Sequence, residues 1–244
     1  MALNPMHQFE VYRLGPEINL GPANLSFTNA SLFMVISAIT ILFFLFFGTK
    51  KKSLVPSKIQ LVTEMTYSFI AKMINDTAGS AAKPFFPFIF TLFMFVLFCN
   101  MVGMLPYSFT VTSHIIVTFA LAATVFIGVT IIGFIKHGIK YLELFVPKGV
   151  PFVLLPLIVI IEIISYLSRP VSLSVRLFAN MMAGHTMLKV FGGFVISLGL
   201  LGGWLPLGFS VALTGLEILV AFLQAYVFAI LTCIYLNDAL NLHH

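Results

Sequence analysis

Charged residues are scarce in this sequence: Asp, Glu, Lys and Arg make up only 9% of its 244 residues, against roughly 25% in an average soluble domain. Hydrophobic residues make up 60% of the chain, and 27 residues are Phe. A water-soluble fold of this size could not bury that much apolar surface, and disorder requires low hydrophobicity with high charge. The composition therefore excludes soluble and disordered proteins. It favours an all-α membrane protein with about five or six spanning segments.

Cysteine is almost absent as well, and the common motifs of soluble enzymes are missing. Cys99 and Cys233 both lie in apolar runs, and their spacing favours neither a disulfide nor a metal site. The sequence has no GxxxxGK phosphate loop, no CxxC and no HExxH; these are the patterns that hold nucleotide phosphates or metals. We therefore expect no metal, no cofactor and no catalytic residue, so that the chain hydrolyses nothing alone.

The few charges are unevenly placed along the chain. The net charge is +5, from 13 basic and 8 acidic residues; in so apolar a chain this bears on membrane orientation rather than on a nucleic-acid partner. With the N-terminus outside, nine lysines fall on the inner side and only Arg13 falls outside, which also predicts an inner C-terminus. The nine are Lys50, Lys51, Lys52, Lys58, Lys72, Lys83, Lys136, Lys140 and Lys148.

Hydropathy and helix breakers divide the chain, taken as one membrane domain over 1–244, into consecutive segments. The first apolar run is preceded by Glu10 and Glu17 and followed by three lysines, a stop-transfer pattern that favours a retained helix over a cleaved signal. The predicted segments are an extended arm (1–30), a spanning helix (31–49), an amphipathic surface helix (56–80), a helical hairpin (85–105 and 114–136) and two long helices (151–199 and 205–240).

The segment 151–199 is too long for a simple crossing. As one continuous helix it would measure roughly 73 Å, against a hydrocarbon core of ~30 Å. Two alternatives remain open: a break near Pro170, or a steep tilt in the membrane. Gly202, Gly203 and Pro206 mark the turn into the last helix.

Polar residues inside the two long helices form regular patterns. On the first of these helices, five polar residues are separated by 7, 3, 4 and 4 positions, a spacing that places them all on one stripe of a helix. Nine positions beyond Arg176, His185 points to the opposite side, and Glu217 and Gln224 share a face of the last helix. Ionisable residues in spanning helices mark ion pathways by default, so two polar stripes and one opposed histidine fit two separate aqueous paths. The stripe comprises Glu162, Arg169, Ser172, Arg176 and Asn180.

Each of these residues also has a purely structural interpretation. Arg169 could snorkel to the interface, and Glu162 could be a protonated core carboxyl. Asn180 and Gln224 could join the helices by hydrogen bonds, and His185 could be a packing residue. Arg176 is the hardest to explain in this way, because its guanidinium cannot lose its proton.

Three stretches resemble subunit a of the F-type ATP synthase (F0 subunit 6). The most specific is SLSVRLFANMMAGH at 172–185; the others are LTGLEILVAFLQAYVFAILTCIYLNDA at 213–239 and FCNMVGMLPYSFTVTSH at 98–114. They occur in the family's order, and the resemblance covers nearly the whole chain. It implies a proton-translocating subunit that is not catalytic by itself, whose two long helices form a tilted hairpin around a ring of c subunits. The implied partners are the c ring, subunit b with the peripheral stalk, other F0 subunits, lipid and protons.

The resemblance also implies roles for single residues. Arg176 matches the essential arginine that faces the c ring, and His185 and Glu217 match a pair in the half-channel open to the outer side. Many bacterial members exchange the acid and the histidine of that pair, so the order here resembles mitochondrial and alphaproteobacterial members and implies an inner membrane. The other matches are Asn180 and Gln224 near the arginine, Asn100 near the outer path and Glu162 on the inner path. Arg169 and Ser172 are further candidates.

Two other functions remain open on the residues alone. A secondary proton-coupled transporter would show internal repeats and a midplane substrate site, neither of which is visible in the sequence. A purely structural membrane scaffold would leave Arg176 and Glu217 unexplained.

Overall fold

The computed structural model describes residues 8–15, 19–20, 23–24, 26–50, 56–105, 108–146 and 154–241. Six α-helices dominate the described part, which confirms the all-α class. They are α1 (Asn29–Lys50), α2 (Lys58–Ala78), α3 (Phe86–Gly103), α4 (Ile115–His137), α5 (Leu155–Gly202) and α6 (Trp204–Leu240). Short 3-10 helices occupy Ser80–Phe85, Val111–Ser113 and Gly138–Phe145.

The N-terminal arm, predicted to be extended, turns back on itself in the described residues. Two-residue strands, β1 (Asn19–Leu20) and β2 (Ala23–Asn24), pair antiparallel, and Arg13 forms an isolated bridge with Thr28. This pairing returns the arm to the start of α1.

Five helical segments of the described chain are long and apolar enough to cross a membrane. They are 29–50, 80–103, 115–142, 155–199 and 204–240. The remaining helix, α2, is amphipathic: it buries Ile70, Met73 and Ile74 and leaves Lys58 and Lys72 exposed. Its first turn is capped by Ser57, whose hydroxyl accepts a hydrogen bond from the backbone N–H of Gln60; such a cap satisfies one of the N–H groups that a helix start leaves unpaired.

The long helix α5 runs through Pro170 without a break. Its 48 residues include a single non-helical position, Gly199, with φ 60° and ψ −158°. Glycine tolerates this left-handed φ because it lacks a Cβ. The kink therefore lies near the turn predicted at Gly202, Gly203 and Pro206, and the break considered at Pro170 is not present. Pro206 lies in the first turn of α6, where no intrahelical N–H bond is lost.

Small side chains bring α6 close to its neighbours. Ala221, Ala225, Ala229 and Cys233 recur every four positions and are fully buried, and small residues at this spacing let helix backbones approach in membranes. Around this stripe pack larger buried residues of the other helices. They include Phe93 and Met94 of α3, Val125 of α4, and Leu173, Leu177 and Met181 of α5. The packing fixes α6 between α3 and α5, and this placement positions the polar groups described below.

Candidate functional site

An imidazole and a carboxylate meet between the two long helices. His185 Nδ1 of α5 lies 2.6 Å from Glu217 Oε1 of α6, and the side chains are only 11% and 6% exposed. The contact is short but is not aligned as a hydrogen bond, so Glu217 Oε1 has no hydrogen-bond partner among the described residues. The other ring nitrogen, His185 Nε2, also has none there. Buried polar atoms are normally paired, so His185 Nε2 is available for a proton from water, and His185 Nδ1 lies close enough to Glu217 Oε1 to exchange a proton with it.

Gly184 makes the approach of Glu217 to α5 possible. A Cβ at this position would lie 2.7 Å from Glu217 Oε1 and 3.1 Å from its Cδ, closer than non-bonded atoms normally come. The carboxyl group therefore occupies the space that any other residue at position 184 would fill.

His185 also lines a cavity of about 1000 Å³ between α5, the segment that follows α3, and the N-terminal arm. Ser108 and Thr110 contribute hydroxyl-bearing residues to its wall, and Lys189 lies one turn beyond His185 on the same helix. Glu217 is not among the described lining residues, but it contacts His185, which is.

Asn100 is fully buried and links α6 to the segment that follows α3 by two hydrogen bonds. Its Nδ2 donates to the backbone carbonyl of Ala221 at 3.2 Å, and its Oδ1 accepts from the Thr112 hydroxyl at 2.8 Å. Ala221 is one helical turn beyond Glu217, so Asn100 fixes α6 close to the carboxylate. Asn100 itself does not line the cavity.

A second polar contact joins the long helices about one turn away from Arg176. Asn180 Nδ2 donates to Gln224 Oε1 at 3.2 Å; Gln224 is buried, whereas Asn180 is exposed. Arg176 and Ser172 are also exposed on α5, and no described acidic side chain lies within salt-bridge distance of Arg176. Exposed apolar residues flank this stripe, among them Leu167, Val171 and Val175. Arg176 thus lies on a narrow polar stripe between apolar residues, with no ion-pair partner among the described residues.

Arg169 lies two turns before Arg176 and has partners that Arg176 lacks. Its Nη1 donates to Asp238 Oδ2 of α6 at 3.0 Å. Its guanidinium carbon lies 5.4 Å from the ring centre of Tyr166 and 5.1 Å from that of Tyr235, within cation–π range. Arg169 therefore joins α5 to the C-terminal turns of α6.

The Tyr166 hydroxyl extends this contact to α4. It lies 2.7 Å from the Thr130 hydroxyl and 3.0 Å from the Tyr141 hydroxyl. Glu162 lies one turn before Tyr166 and is half-buried; it takes part in no salt bridge within the described ranges.

We expect Arg169→Ala to destabilise the protein more than Asp238→Ala. The alanine at 169 removes the ion pair, which is about 24% and 36% exposed and contributes ~0–1 kcal/mol, together with two cation–π contacts of ~0.5–1 kcal/mol each. Asp238→Ala removes only the ion pair and leaves both cation–π contacts in place. Thermal unfolding of the two variants and of the double variant in detergent measures the difference, and equal losses would contradict the assigned contacts.

Several of these residues lie beyond what the sequence pattern indicates. Asp238 is 69 positions from Arg169, and Thr112 and Ala221 enter through contacts of Asn100. Gly184 lies in the motif SLSVRLFANMMAGH, and only its position next to His185 indicates in the sequence that it matters for the site. Within the described residues there is no group of three or more His, Cys, Asp or Glu that could hold a metal ion.

Comparison with known proteins places the chain in a family. A family model described as ATP synthase A chain matches residues 31–237. Proteins named ATP synthase subunit a are similar over the full length: that of Pelagibacter ubique (strain HTCC1062) is 79% identical over 244 residues, with 100% of both chains covered. That of Chelativorans sp. (strain BNC1) is 60% identical over 250 residues, again covering 100% of both chains. That of Rhizobium rhizogenes (strain K84 / ATCC BAA-868) is 61% identical over 247 residues, covering 99% and 98%.

The five apolar helices and these alphaproteobacterial relatives identify a multi-pass protein of the inner membrane. The family model matches most of the chain, and the Pelagibacter relative is aligned over all of it. The chain therefore belongs to the ATP synthase subunit a family, whose members work in the F0 sector with other F0 subunits as partners.

Proposed function

We propose that this chain is the non-catalytic, proton-translocating stator subunit of the F0 sector, with two offset half-channels to and from the carboxylates of a c ring. The observation that carries the proposal is the contact between His185 and Glu217. A titratable imidazole and a carboxylate meet inside apolar helices, and the imidazole lines a cavity. Ionisable groups in spanning helices pair in this way along ion pathways.

On the outer path, a proton reaches His185 through the cavity and binds at Nε2, while the Nδ1 proton passes to Glu217. Glu217 then passes it to a carboxylate of the c ring. Neutralisation lets that carboxyl group move into lipid, because an uncharged acid costs far less to bury than a carboxylate. Asn100 contributes by fixing α6 one turn away.

Arg176 separates the two paths. Its guanidinium favours the deprotonated form of a ring carboxylate beside it, and its permanent charge repels protons that would cross directly between the half-channels. The contact between Asn180 and Gln224 holds the helices in register next to it. Ser172 lies on the same exposed stripe and adds a hydroxyl to the face that we assign to the ring.

On the inner path, a ring carboxyl that has turned nearly full circle loses its proton near Glu162. A potential of 100 mV supplies about 2.3 kcal/mol for each charge moved, so several protons must combine to drive one step of ATP synthesis elsewhere in the complex. The lysine distribution orients the N-terminus outside and the C-terminus inside. Besides the c ring, subunit b with the peripheral stalk completes the stator.

We expect Gly184→Ala to lower proton flux by about tenfold to a hundredfold, the scale that an ångström of misplacement costs in a catalytic constellation. The new methyl group displaces the Glu217 carboxyl from His185, whereas α5 itself gains helix propensity of about 1 kcal/mol and should still fold. Gly128→Ala on α4 is the matched control, because a Cβ there meets nothing within 4 Å. Proton uptake by vesicles that contain the assembled complex provides the measurement; equal flux in the two variants would contradict the role of Gly184.

Reconstitution with and without a c ring tests the proposal as a whole. Proton flux in vesicles should require both this chain and the ring. Flux through the chain alone would favour a secondary transporter, and no dependence of flux on Arg176 or Glu217 in the complete complex would favour a structural scaffold.

A further inference from the structure

The cavity that His185 lines is closed on one side by the N-terminal arm. Glu10, Tyr12 and Asn29 contribute to its wall, together with His185 and Lys189 of α5. The Glu10 side chain is exposed, whereas His185 is nearly buried. The same cavity thus joins an exposed carboxylate to the buried imidazole.

Hydrogen bonds fix this part of the arm to the start of α1. Asn29 Nδ2 donates to the backbone carbonyl of Glu10 at 3.1 Å, and Asn29 Oδ1 accepts from the backbone N–H of Tyr12 at 3.2 Å. The backbone N–H of Asn29 donates to the Tyr12 carbonyl at 3.0 Å. The backbone of Glu10 is therefore held at the cavity wall by contacts with Asn29.

The Glu10 carboxylate is itself oriented by its neighbour. The Tyr12 hydroxyl donates to Glu10 Oε2 at 2.5 Å, and this bond raises the pKa of Tyr12 above its ordinary value, which keeps the phenol a donor. Among the described residues, the titratable groups lining the cavity are Glu10, Tyr12, His185 and Lys189. Of these, Glu10 is the carboxylate, the group that attracts protons from the medium.

We propose that Glu10 is the proton-collecting residue at the mouth of the outer half-channel, and that Asn29 and Tyr12 position it. The inference rests on the proposed function, since it gives the His185–Glu217 pair its supply of protons. A carboxylate at the mouth of a cleft raises the local concentration of cations and their rate of capture. His185 Nε2, which is buried and has no partner among the described residues, is the group that receives the proton.

The transfer balances without any other reactant. The Glu10 carboxylate takes a proton from the medium, and its O–H bond then breaks as the proton passes to water in the cavity. The wall is largely apolar, but the polar side chains along it, among them Ser108, Thr110 and Lys189, give such water hydrogen-bond partners. His185 gains a proton at Nε2 and releases the one at Nδ1 to Glu217, and exchange of the remaining proton from Nε2 back to Nδ1 through water, or rotation of the ring, restores the starting tautomer. Glu10 returns to the carboxylate form and can bind the next proton.

The test uses the whole complex in vesicles whose lumen bathes the outer face of the chain. With a weakly buffered, alkaline lumen and a fixed potential, Glu10→Gln should make ATP roughly tenfold more slowly than the unaltered complex, at the lower end of the rate gain from a charged cleft. A small mobile buffer such as imidazole in the lumen should restore most of the rate, because it delivers protons directly. Glu10→Asp should retain most of the rate without added buffer.

Glu64→Gln is the matched control. Glu64 is an exposed acid on α2 that accepts a hydrogen bond from Gln60 at 2.8 Å and does not line this cavity, so its replacement should leave the rate unchanged. A normal rate for Glu10→Gln in weak buffer, or a loss that imidazole does not restore, would overturn the inference. Glu217→Gln in the same vesicles separates the two hypotheses: if it is inactive while Glu10→Gln is normal, the half-channel stands and only the role of Glu10 fails.

Discussion

Arg176→Ala is expected to give an assembled complex that neither pumps protons nor makes ATP and that leaks protons passively. Without the guanidinium, nothing repels a proton that crosses directly between the half-channels. ATP synthesis should fall by about a hundredfold or more, the scale on which loss of one preorganised charge-stabilising group lowers turnover. Assembly should persist because Arg176 is exposed, while its neighbours Leu173 and Leu177 make the buried contacts.

Arg176→Lys should also fail in coupled function. Lysine keeps a positive charge, but its compact ammonium can lose a proton when desolvated, whereas the guanidinium is broad and stays charged. Arg169→Ala is the matched control: it removes an arginine from the same stripe, but one already paired with Asp238, so it should not open a leak. Proton flux under an imposed potential is measured with assembly checked in parallel. A normal rate of ATP synthesis by an assembled Arg176→Ala complex would refute the separating role.

The second large effect concerns the pair between α5 and α6. His185→Glu and Glu217→His should each lower proton flux by about a hundredfold, within the range that a positioned acid or base contributes. The first change sets two carboxylates side by side, and like charges so close hold one of them protonated. The second sets two imidazoles together and leaves no carboxylate to receive the proton.

The exchange of both residues should recover about tenfold over either single variant, because an imidazole and a carboxylate are again in contact. It should stay below the unaltered protein, since the larger imidazole at position 217 must fit against Gly184, where Glu217 already fills the space. Proton flux is measured in vesicles that contain equal amounts of the double-variant, single-variant or unaltered complex. If the double variant loses as much as the single ones, the two residues do not act as a pair.

Much of the architecture could be predicted because it depends on local composition. Long apolar runs and their breakers fixed the order of the helices, and the 3.6-residue period set Arg176 on one stripe of α5 and His185 on the other side. The path of α5 through Pro170 could not be predicted in the same way. One proline removes a single backbone hydrogen bond, and packing of the flanking turns, with Tyr166 and Leu173 buried, decides whether the helix continues.

The finer parts of the site depend on distances between segments far apart in sequence. Nothing near Asn100 indicates that its amide bonds the carbonyl of Ala221, and nothing near Glu10 indicates that it shares a cavity with His185. Gly184 is required only because the Glu217 side chain of another helix packs against it. Such contacts follow from tertiary packing, which periodicity along one helix does not contain.

The continuity of α5 makes it a rigid connection between the residues that we assign to the inner and outer paths. Glu162 and His185 stand 23 positions apart on one unbroken helix, which sets them about 35 Å apart along its axis at 1.5 Å per residue. No loop between them can absorb a change in length. Insertion of one residue between Arg176 and His185 would turn all that follows by about 100° and carry the imidazole away from Glu217. The number of residues in a single helix therefore sets the spacing of the two access sites that we propose.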